Sequence, residues 1–221
     1  MGRLRSASPI GDVKGKVGPI VMSSWKATTI VKSLPVKRRS TKQSEKQVQE
    51  NTAFSIVMQF LWPVLEVINI GFQMPRNANM SSLNRATSYH MLHAVAGEPN
   101  NPNIDMAKIK FSLPVKSTQS AWNAALSAEE GRIIKVAWEL NPYPLKCTQL
   151  NDRAVFILYD SELNWFQEVS SADLNRAALI FTTVAPKRCA GHEWLVYMLM
   201  VSEDGKLVSE TEYLGMVTVL A

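Results

Sequence analysis

Histidine and cysteine are the residues of this chain whose types could bind a metal or carry out catalysis. His90 and His93 are three residues apart, which places them on one helix face, and they would bind zinc if His192 or a carboxylate joined them. Cys189 precedes His192 by three residues, a spacing that belongs to no nucleophile signature. Because no third ligand follows nearby, we expect two partly exposed helix histidines and no metal site.

The motifs of the common enzyme classes are absent from the sequence. There is no GxSxG, no HExxH, no CxxC pair, and neither of the glycine-rich phosphate-binding motifs GxxxxGK and GxGxxG. The adjacent acids Glu129 and Glu130 precede Gly131 and indicate a solvated turn. Acid and base residues can also assemble from distant positions, which motifs do not reveal. We predict a protein that is not an enzyme, with no catalytic residues and no cofactor.

Composition indicates a globular protein of one or two domains. The chain has 221 residues, of which 46% are hydrophobic and 19% charged, and it needs no covalent cross-links to form a core. Cys147 and Cys189 are too few for a disulfide framework, so we expect buried free thiols, with pairing left open. No apolar run follows the basic N-terminus, and we therefore expect a cytoplasmic protein.

The charge is unevenly distributed. Residues 1–46 contain eleven basic and two acidic residues, a net charge of +9, whereas the remainder has 13 basic and 17 acidic residues, a net charge of −4. Such asymmetry favours an acidic partner for the basic segment: a nucleic acid, an anionic membrane surface or an acidic protein, including a second copy of this chain. Lysines that face solvent on edge strands explain the same pattern without any ligand.

The basic segment also predicts two strands. Valine, isoleucine and threonine are frequent within 11–36, and a turn is expected at 22–25, which makes a β-hairpin. If this hairpin binds nucleic acid, lysines and arginines would contact phosphates while a tryptophan stacks on a base. The candidate residues are Trp25, Lys26, Lys32, Lys37, Arg38 and Arg39.

Helical signals follow. Residues 47–62 lack Gly and Pro, Pro63 should break the helix, and a second segment over 63–70 ends at Gly71. The stretch 53–72 is long enough to span a membrane, but its polar residues Ser55, Gln59, Glu66 and Asn69 fall on one helical face, so we predict a buried helix and no membrane span. Another helix is expected from 81 or 82 to about 95, followed by a loop over 97–106.

After residue 106 the spacing of apolar residues changes from the period of a helix, about 3.6 residues, to that of a strand, about two. Seven segments are predicted as strands, and Asp204-Gly205 marks a hairpin between the last two. The segments are 107–113, 132–140, 153–160, 164–169, 178–184, 194–202 and 206–219. The predicted fold class is α+β: a basic β-hairpin and helical region over 1–106, then a seven-stranded antiparallel β-sandwich over 107–221.

The C-terminal part resembles a fibronectin type III or immunoglobulin-like sandwich. "IIKVAWELNPYP" at 133–144 resembles the second strand of such modules, with Trp138 as the core tryptophan. "AVFILYD" at 154–160 resembles the next strand, and "WLVYMLMVSEDGKLVSE" at 194–210 resembles the penultimate strand with its hairpin. The resemblance implies a fold and leaves the function open.

Nearly the whole chain also resembles a family of uncharacterised bacterial proteins. The matching elements are "GKVG" at 15–18, Trp25-Lys26, Pro35, "INIGF" at 68–72, "SLNRA" with "SYH" within 82–90, and "YLG" with "VTV" within 213–219. Ala27 stands where glycine is expected after Trp-Lys. The resemblance implies no activity.

Three function classes follow from these observations. The first is a non-enzymatic interaction or assembly protein with a protein partner or self-association, for which Trp62, Trp165 and Phe166 are candidate interface residues. The second is a protein that binds nucleic acid through its basic N-terminal segment. The third, suggested by the sandwich alone, is a cell-surface or carbohydrate-binding protein. Trp138 and Trp194 are expected in the core.

Overall fold

The computed structural model describes residues 2–3, 14–25, 28–34, 42–75 and 79–220, and for Gly2, Arg3, Trp25, Thr28 and Ala172 it describes the backbone alone. The chain forms two compact units, Met1–Ser44 and Glu45–Ala221.

The first unit contains a four-stranded antiparallel sheet. Its strands are β1 Gly2–Arg3, β2 Gly15–Val17, β3 Ile20–Trp25 and β4 Thr28–Ser33, in the order β1-β4-β3-β2. The predicted hairpin is therefore confirmed. The turn predicted at 22–25 is wrong, because β3 continues through these residues and Trp25 still pairs with Thr28.

The second unit begins with helices at the predicted places. They are α1 Glu45–Leu61, a 3-10 turn at Trp62–Val64, α2 Leu65–Gly71 and α3 Ser82–His93. Pro63 ends α1 because proline lacks a donor and clashes with the preceding turn. The Ser81 hydroxyl caps α3 by accepting from the Asn84 N–H at 3.1 Å.

A hairpin replaces the loop predicted at 97–106, which is therefore a wrong prediction. Its strands are β5 Val95–Glu98 and β6 Asn101–Ile104. Gly97 has a φ of +87°, and the partner of Gly97 across the hairpin is Pro102. Proline is tolerated in such a strand because its missing donor faces away from the partner.

Seven strands then form the predicted sandwich. They are β7 Trp122–Glu129, β8 Ile133–Glu139, β9 Arg153–Asp160, β10 Trp165–Asn175, β11 Ile180–Val184, β12 Glu193–Val201 and β13 Glu212–Thr218. One sheet has the order β11-β8-β7 and the other β10-β9-β12-β13. The first, second and fifth strands thus face the other four, which is the arrangement of a fibronectin type III sandwich.

The strand predicted at 107–113 is wrong, although the count of seven is right. Ile109 and Phe111 are buried at alternate positions, which imitates a strand in the sequence. The N–H groups of Phe111 and Ser112 donate to the Thr211 hydroxyl oxygen, each at 2.8 Å, and not to a neighbouring strand. The strand that completes the sandwich is β7 instead.

The four-stranded sheet of the sandwich, β10-β9-β12-β13, is buried on both faces. Phe156 and Leu158 of β9 pack against the three-stranded sheet, whereas Ile157 and Tyr159 pack against the helices. Successive strand residues point to opposite faces, so β9 and β12 are unbroken apolar runs. The helices therefore form a third layer on the sandwich. Trp138 and Trp194 lie in the core, as predicted.

The helices and the sandwich share one cluster of buried residues. Val57, Phe60 and Ile68 of the helices belong to the same cluster as Ile157 and Leu199 of the sheet. The domain boundary predicted between residues 106 and 107 stays a prediction. Residues on both sides of this boundary belong to the one buried cluster.

One helical stretch, Glu45–Gly71, is long and apolar enough to cross a membrane by length and composition. Core helices of soluble proteins pass the same test. Here 33% of the most apolar window is buried, and Val57, Leu61 and Val64 lie within the shared core.

Candidate functional site

The three candidate interface residues meet in one groove. Trp62 lies on one side of it, after α1, and Trp165 and Phe166 lie on the other, at the start of β10. The groove has a volume of about 750 Å³. Its lining residues are Trp62, Pro63, Leu65, Glu66, Asn164, Trp165, Phe166 and Glu168, and we call it the Trp62 groove.

The end of α1 exposes Trp62. Leu61 before it and Val64 two residues after it are fully buried, whereas Trp62 is 61% exposed. Pro63 occupies the start of the 3-10 turn, where its missing N–H costs nothing. The 3-10 turn thus presents a large aromatic ring to solvent.

The hairpin between β9 and β10 positions the opposite wall. Asp160 Oδ1 accepts from the N–H groups of Glu162 and Leu163, each at 3.0 Å, which fixes the turn. Asn164 has a φ of 47° and its side chain accepts from the Tyr159 hydroxyl at 3.0 Å. The turn therefore has a defined conformation that sets the start of β10, with Phe166 toward the helices and the Trp165 ring on the opposite face, 5.9 Å from that of Trp194 between centroids.

Aromatic packing then fixes Phe166. Its ring lies 4.5 Å from that of Tyr159 and 5.1 Å from that of Phe60, measured between centroids. Glu168 is two residues further along β10 and shares the face of Phe166. That face is the one toward the helices, where α2 carries Glu66.

The groove carries unneutralised negative charge. Partial burial raises the pKa of Glu168, and the nearby charge of Glu66 raises it further. Among the described residues, neither carboxylate forms an ion pair with a lysine or arginine. A cation already lies over the neighbouring aromatic ring, because the Arg188 guanidinium is 4.9 Å from the centroid of Trp165.

The sequence had indicated the aromatic half of this site and missed the acidic half. The sequence identifies Glu66 only as a polar residue of the helix, and no motif distinguishes Glu168. The alternation Phe166-Gln167-Glu168 does predict that the aromatic and the carboxylate share a face. What lies opposite that face is decided by tertiary packing.

Of the nucleic-acid candidates, Lys26, Lys37, Arg38 and Arg39 lie outside the described residues. Trp25 ends β3, and Lys32 lies exposed on β4. Cross-strand pairing puts Lys16, Val21 and Lys32 in one line, so both lysines project from the same face of the sheet. The role of these residues stays a prediction.

His90 and His93 do not form the pair of partly exposed residues that was expected. His90 is buried, with Nδ1 2.7 Å from the Ala86 carbonyl oxygen and Nε2 accepting from the Lys110 N–H at 3.3 Å. His93 is exposed. Burial lowers the pKa of His90, and the Ala86 carbonyl opposes this effect. The ring is therefore a neutral core residue with both nitrogens occupied.

A different set of side chains could hold a metal ion. Ligand atoms of Asp160, Cys189 and His192 all lie within 4.8 Å of one another. The spacing of Cys189 and His192 is visible in the sequence, but Asp160 comes from the end of β9, about 30 residues earlier. Both cysteines are free thiols, Cys189 buried and Cys147 partly exposed.

These features define an α+β protein in which helices cover a fibronectin type III-like sandwich and form a groove with it. The sequence matches DUF6266, a family of unknown function, over residues 12–215, and the chain belongs to that family.

Comparison with other proteins adds little beyond the family. No curated protein matches the sequence. The fn3 domain of human collagen alpha-1(XX) chain is similar, with 15% identity, a TM-score of 0.37, and coverage of 50% of this chain and 92% of that domain. A structure described as "Myokine structure" is 11% identical, with a TM-score of 0.35, and covers 48% of this chain and 100% of its own. The assignment of the sandwich as fibronectin type III-like therefore rests on the strand order of its two sheets.

Proposed function

We propose that this is a non-enzymatic binding protein whose Trp62 groove receives a lysine- or arginine-bearing segment of a protein partner. The observation that carries the proposal is the pair of carboxylates, Glu66 and Glu168, which share the groove with exposed aromatic surface. The cytoplasmic location expected from the sequence is part of the same proposal.

Cation recognition follows from the chemistry of the lining. Two like charges that face the same groove repel each other, and a cation between them removes the repulsion. A guanidinium can bind a carboxylate through two hydrogen bonds while it stacks on an aromatic face, which favours arginine over lysine. A cation over an aromatic ring adds about 0.5–2 kcal/mol, depending on how far it is desolvated.

The same lining disfavours other ligand classes. Phosphate groups of nucleic acids and anionic lipids would be repelled by Glu66 and Glu168. An exposed tryptophan in a groove is typical of protein interfaces, where tryptophan and arginine are frequent among the few residues that contribute most of the binding free energy. A peptide segment of a protein combines the required charge with apolar surface.

A peptide-display selection tests the proposal. A library of random peptides is first depleted on immobilised E66K/E168K and then selected on the wild-type protein. We expect enrichment of peptides that carry arginine or lysine beside an apolar residue. Their affinity for E66K/E168K should be lower by roughly tenfold or more, since tenfold corresponds to about 1.4 kcal/mol.

The matched control is E130K/E193K, which makes the same change in net charge at exposed positions outside the groove. It should bind the selected peptides as the wild type does, and W62A should not. Enrichment of peptides without basic residues, or equal binding to E66K/E168K, would contradict the proposal.

Nucleic-acid binding is the second candidate, favoured by the common face of Lys16 and Lys32 in the first unit. It is tested by titration of labelled single-stranded DNA and RNA at about 50 and 200 mM salt, where six to ten phosphate contacts would lower affinity by roughly 10³–10⁵. K16E/K32E should then bind more weakly than K146E/K187E. Equal affinities, or no binding by the wild type, would exclude this candidate.

A further inference from the structure

We propose that Asp160, Cys189 and His192 bind one zinc ion through carboxylate Oδ2, thiolate Sγ and imidazole Nδ1. This inference is independent of the Trp62 groove and concerns a different cluster of side chains. Oxygen, sulfur and nitrogen donors are the ligands that zinc accepts together, whereas magnesium and calcium prefer oxygen donors alone.

The donor atoms are already gathered. All three lie within 4.8 Å of one another, and His192 Nδ1 is 2.8 Å from Asp160 Oδ2. Zinc bonds of 2.0–2.3 Å in a tetrahedron place ligand atoms roughly 3.3–3.8 Å apart, so side-chain adjustments would suffice to admit the ion. Three protein ligands leave one coordination position for water.

The backbone around Cys189 and His192 is firmly held. A 3-10 turn ends at Cys189, and Gly191 has a φ of +85° that reverses the chain before His192. The His192 N–H donates to the Cys189 carbonyl at 3.1 Å, and the Gly191 N–H donates to the Val219 carbonyl at 2.8 Å. This Cys-x-x-His turn therefore presents two ligands from a short, anchored segment.

Asp160 is oriented by other groups, as a zinc-binding carboxylate commonly is. Its Oδ1 accepts two backbone N–H groups of the β9–β10 turn, and the Trp194 indole donates to its Oδ2 at 3.1 Å. Asp160 is fully buried, whereas the His192 side chain is 19% exposed. An ion would therefore enter from the His192 side, where Glu162 lies 3.5 Å from Nε2.

The reaction with zinc is a ligand exchange and includes no redox step. In the metal-free protein Cys189 is a free thiol whose sulfur lies within 4.8 Å of the Asp160 ligand oxygen. On zinc binding, its proton passes to solvent and the sulfur forms the Zn–S bond. Nδ1 donates its hydrogen to Asp160 in the metal-free protein, and this proton must leave before the ion binds: it passes to solvent from a protonated ring, or moves through solvent to Nε2 in a neutral one. The freed Nδ1 lone pair then coordinates the ion.

Cobalt titration of the full-length protein is the test. Protein freed of metal with a chelator and then desalted is titrated with Co²⁺, and the sulfur-to-cobalt charge-transfer absorption is recorded before displacement by Zn²⁺. We expect saturation at one equivalent in the wild type and in the controls C147S and H93Q. The absorption should be lost in C189S, and the cobalt affinity of H192Q should be at least about tenfold weaker.

A second measurement distinguishes loss of the zinc site from misfolding of a variant. Zinc should raise the thermal unfolding midpoint of the wild type and of C147S, but not that of H192Q, whose amide can still donate to Asp160. The proposal is overturned if the wild type gives no thiolate absorption, if C189S retains it, or if zinc stabilises H192Q as much as the wild type.

Discussion

Glu66 on α2 and Glu168 on β10 face the same groove, and the negative charge of Glu66 raises the pKa of Glu168 above the value that burial alone would give. The two carboxylates come from different layers of the unit, and no described cation neutralises them. This relationship is the basis of the proposed binding of a cationic segment.

Removal of the Glu66 charge should lower the pKa of Glu168. In E66Q the repulsion between the two groups is absent, so the pKa should fall toward the ordinary value while partial burial keeps it somewhat raised. Carboxyl carbon NMR over a pH titration measures it directly. E130Q serves as control, and an unchanged Glu168 titration in E66Q would show that the two groups do not interact.

Substitution of Gly71 should destabilise the protein. An added Cβ would lie 2.0 Å from the Phe111 carbonyl oxygen, a clash with backbone that cannot rotate away. Because the clash is with fixed backbone, its steric cost is about 3 kcal/mol or more, which exceeds the gain of about 1 kcal/mol in helix propensity. Urea unfolding of G71A measures the difference. G131A is the control, with a φ of +81° and open space, and should lose only about 1–2 kcal/mol.

The buried ion pair of Arg176 and Asp152 should contribute much more than a surface pair. Arg176 Nη2 lies 3.1 Å from Asp152 Oδ2, and the two side chains are 5% and 1% exposed, respectively. The Thr118 hydroxyl also donates to Asp152. R176A leaves an uncompensated buried carboxylate and should cost about 3–5 kcal/mol. K135A breaks the exposed pair with Glu129 and should cost less than about 1 kcal/mol. Similar losses for both variants, measured by chemical denaturation, would refute this ranking.

His90 should make stability fall in acid. Its pKa in the folded protein lies below the ordinary value of 6.5, so the folded state binds fewer protons than the unfolded chain. The stability that neutral His90 contributes is complete above about pH 6.5 and is lost as the pH falls through the folded pKa.

The measurement is the free energy of unfolding of the wild type, H90Q and H93Q between about pH 5 and 8. The hydrogen bond to Asp160 raises the pKa of His192, so the stability that His192 contributes is lost as the pH rises. The difference in unfolding free energy between the wild type and H90Q therefore isolates the contribution of His90. H93Q should keep the wild-type slope below about pH 6.5, and H90Q should have a shallower one. An equally steep slope in H90Q would assign the acid sensitivity to other groups.

Local signals explain why much of the fold could be predicted. Pro63 and Gly71 mark helix ends because one lacks a donor and the other has no Cβ. The strands β9 and β12 are long apolar runs between turn residues. The strand β7 was missed because it consists largely of Ala, Ser and Asn, and because Asn123 has a φ of 49° where the register shifts.

The sites were only half predictable for a different reason. Trp62, Trp165 and Phe166 were recognisable as interface candidates by residue type, but nothing local brings Glu66 opposite Glu168. Asp160 joins Cys189 and His192 only because β9 pairs with β12, which places Asp160 opposite Trp194. Contacts between distant segments depend on strand pairing and helix packing, which one sequence does not specify by local pattern.

The most direct test of the central claim is an NMR titration of the full-length protein with a short capped peptide that carries two arginines. We expect the indole N–H signal of Trp62 to shift while that of buried Trp138 does not, and the affinity of E66Q/E168Q to be about tenfold weaker. A matched peptide with two glutamates should cause no shift. An unmoved Trp62 signal, or equal affinity of E66Q/E168Q, would contradict recognition of a cationic segment by this groove.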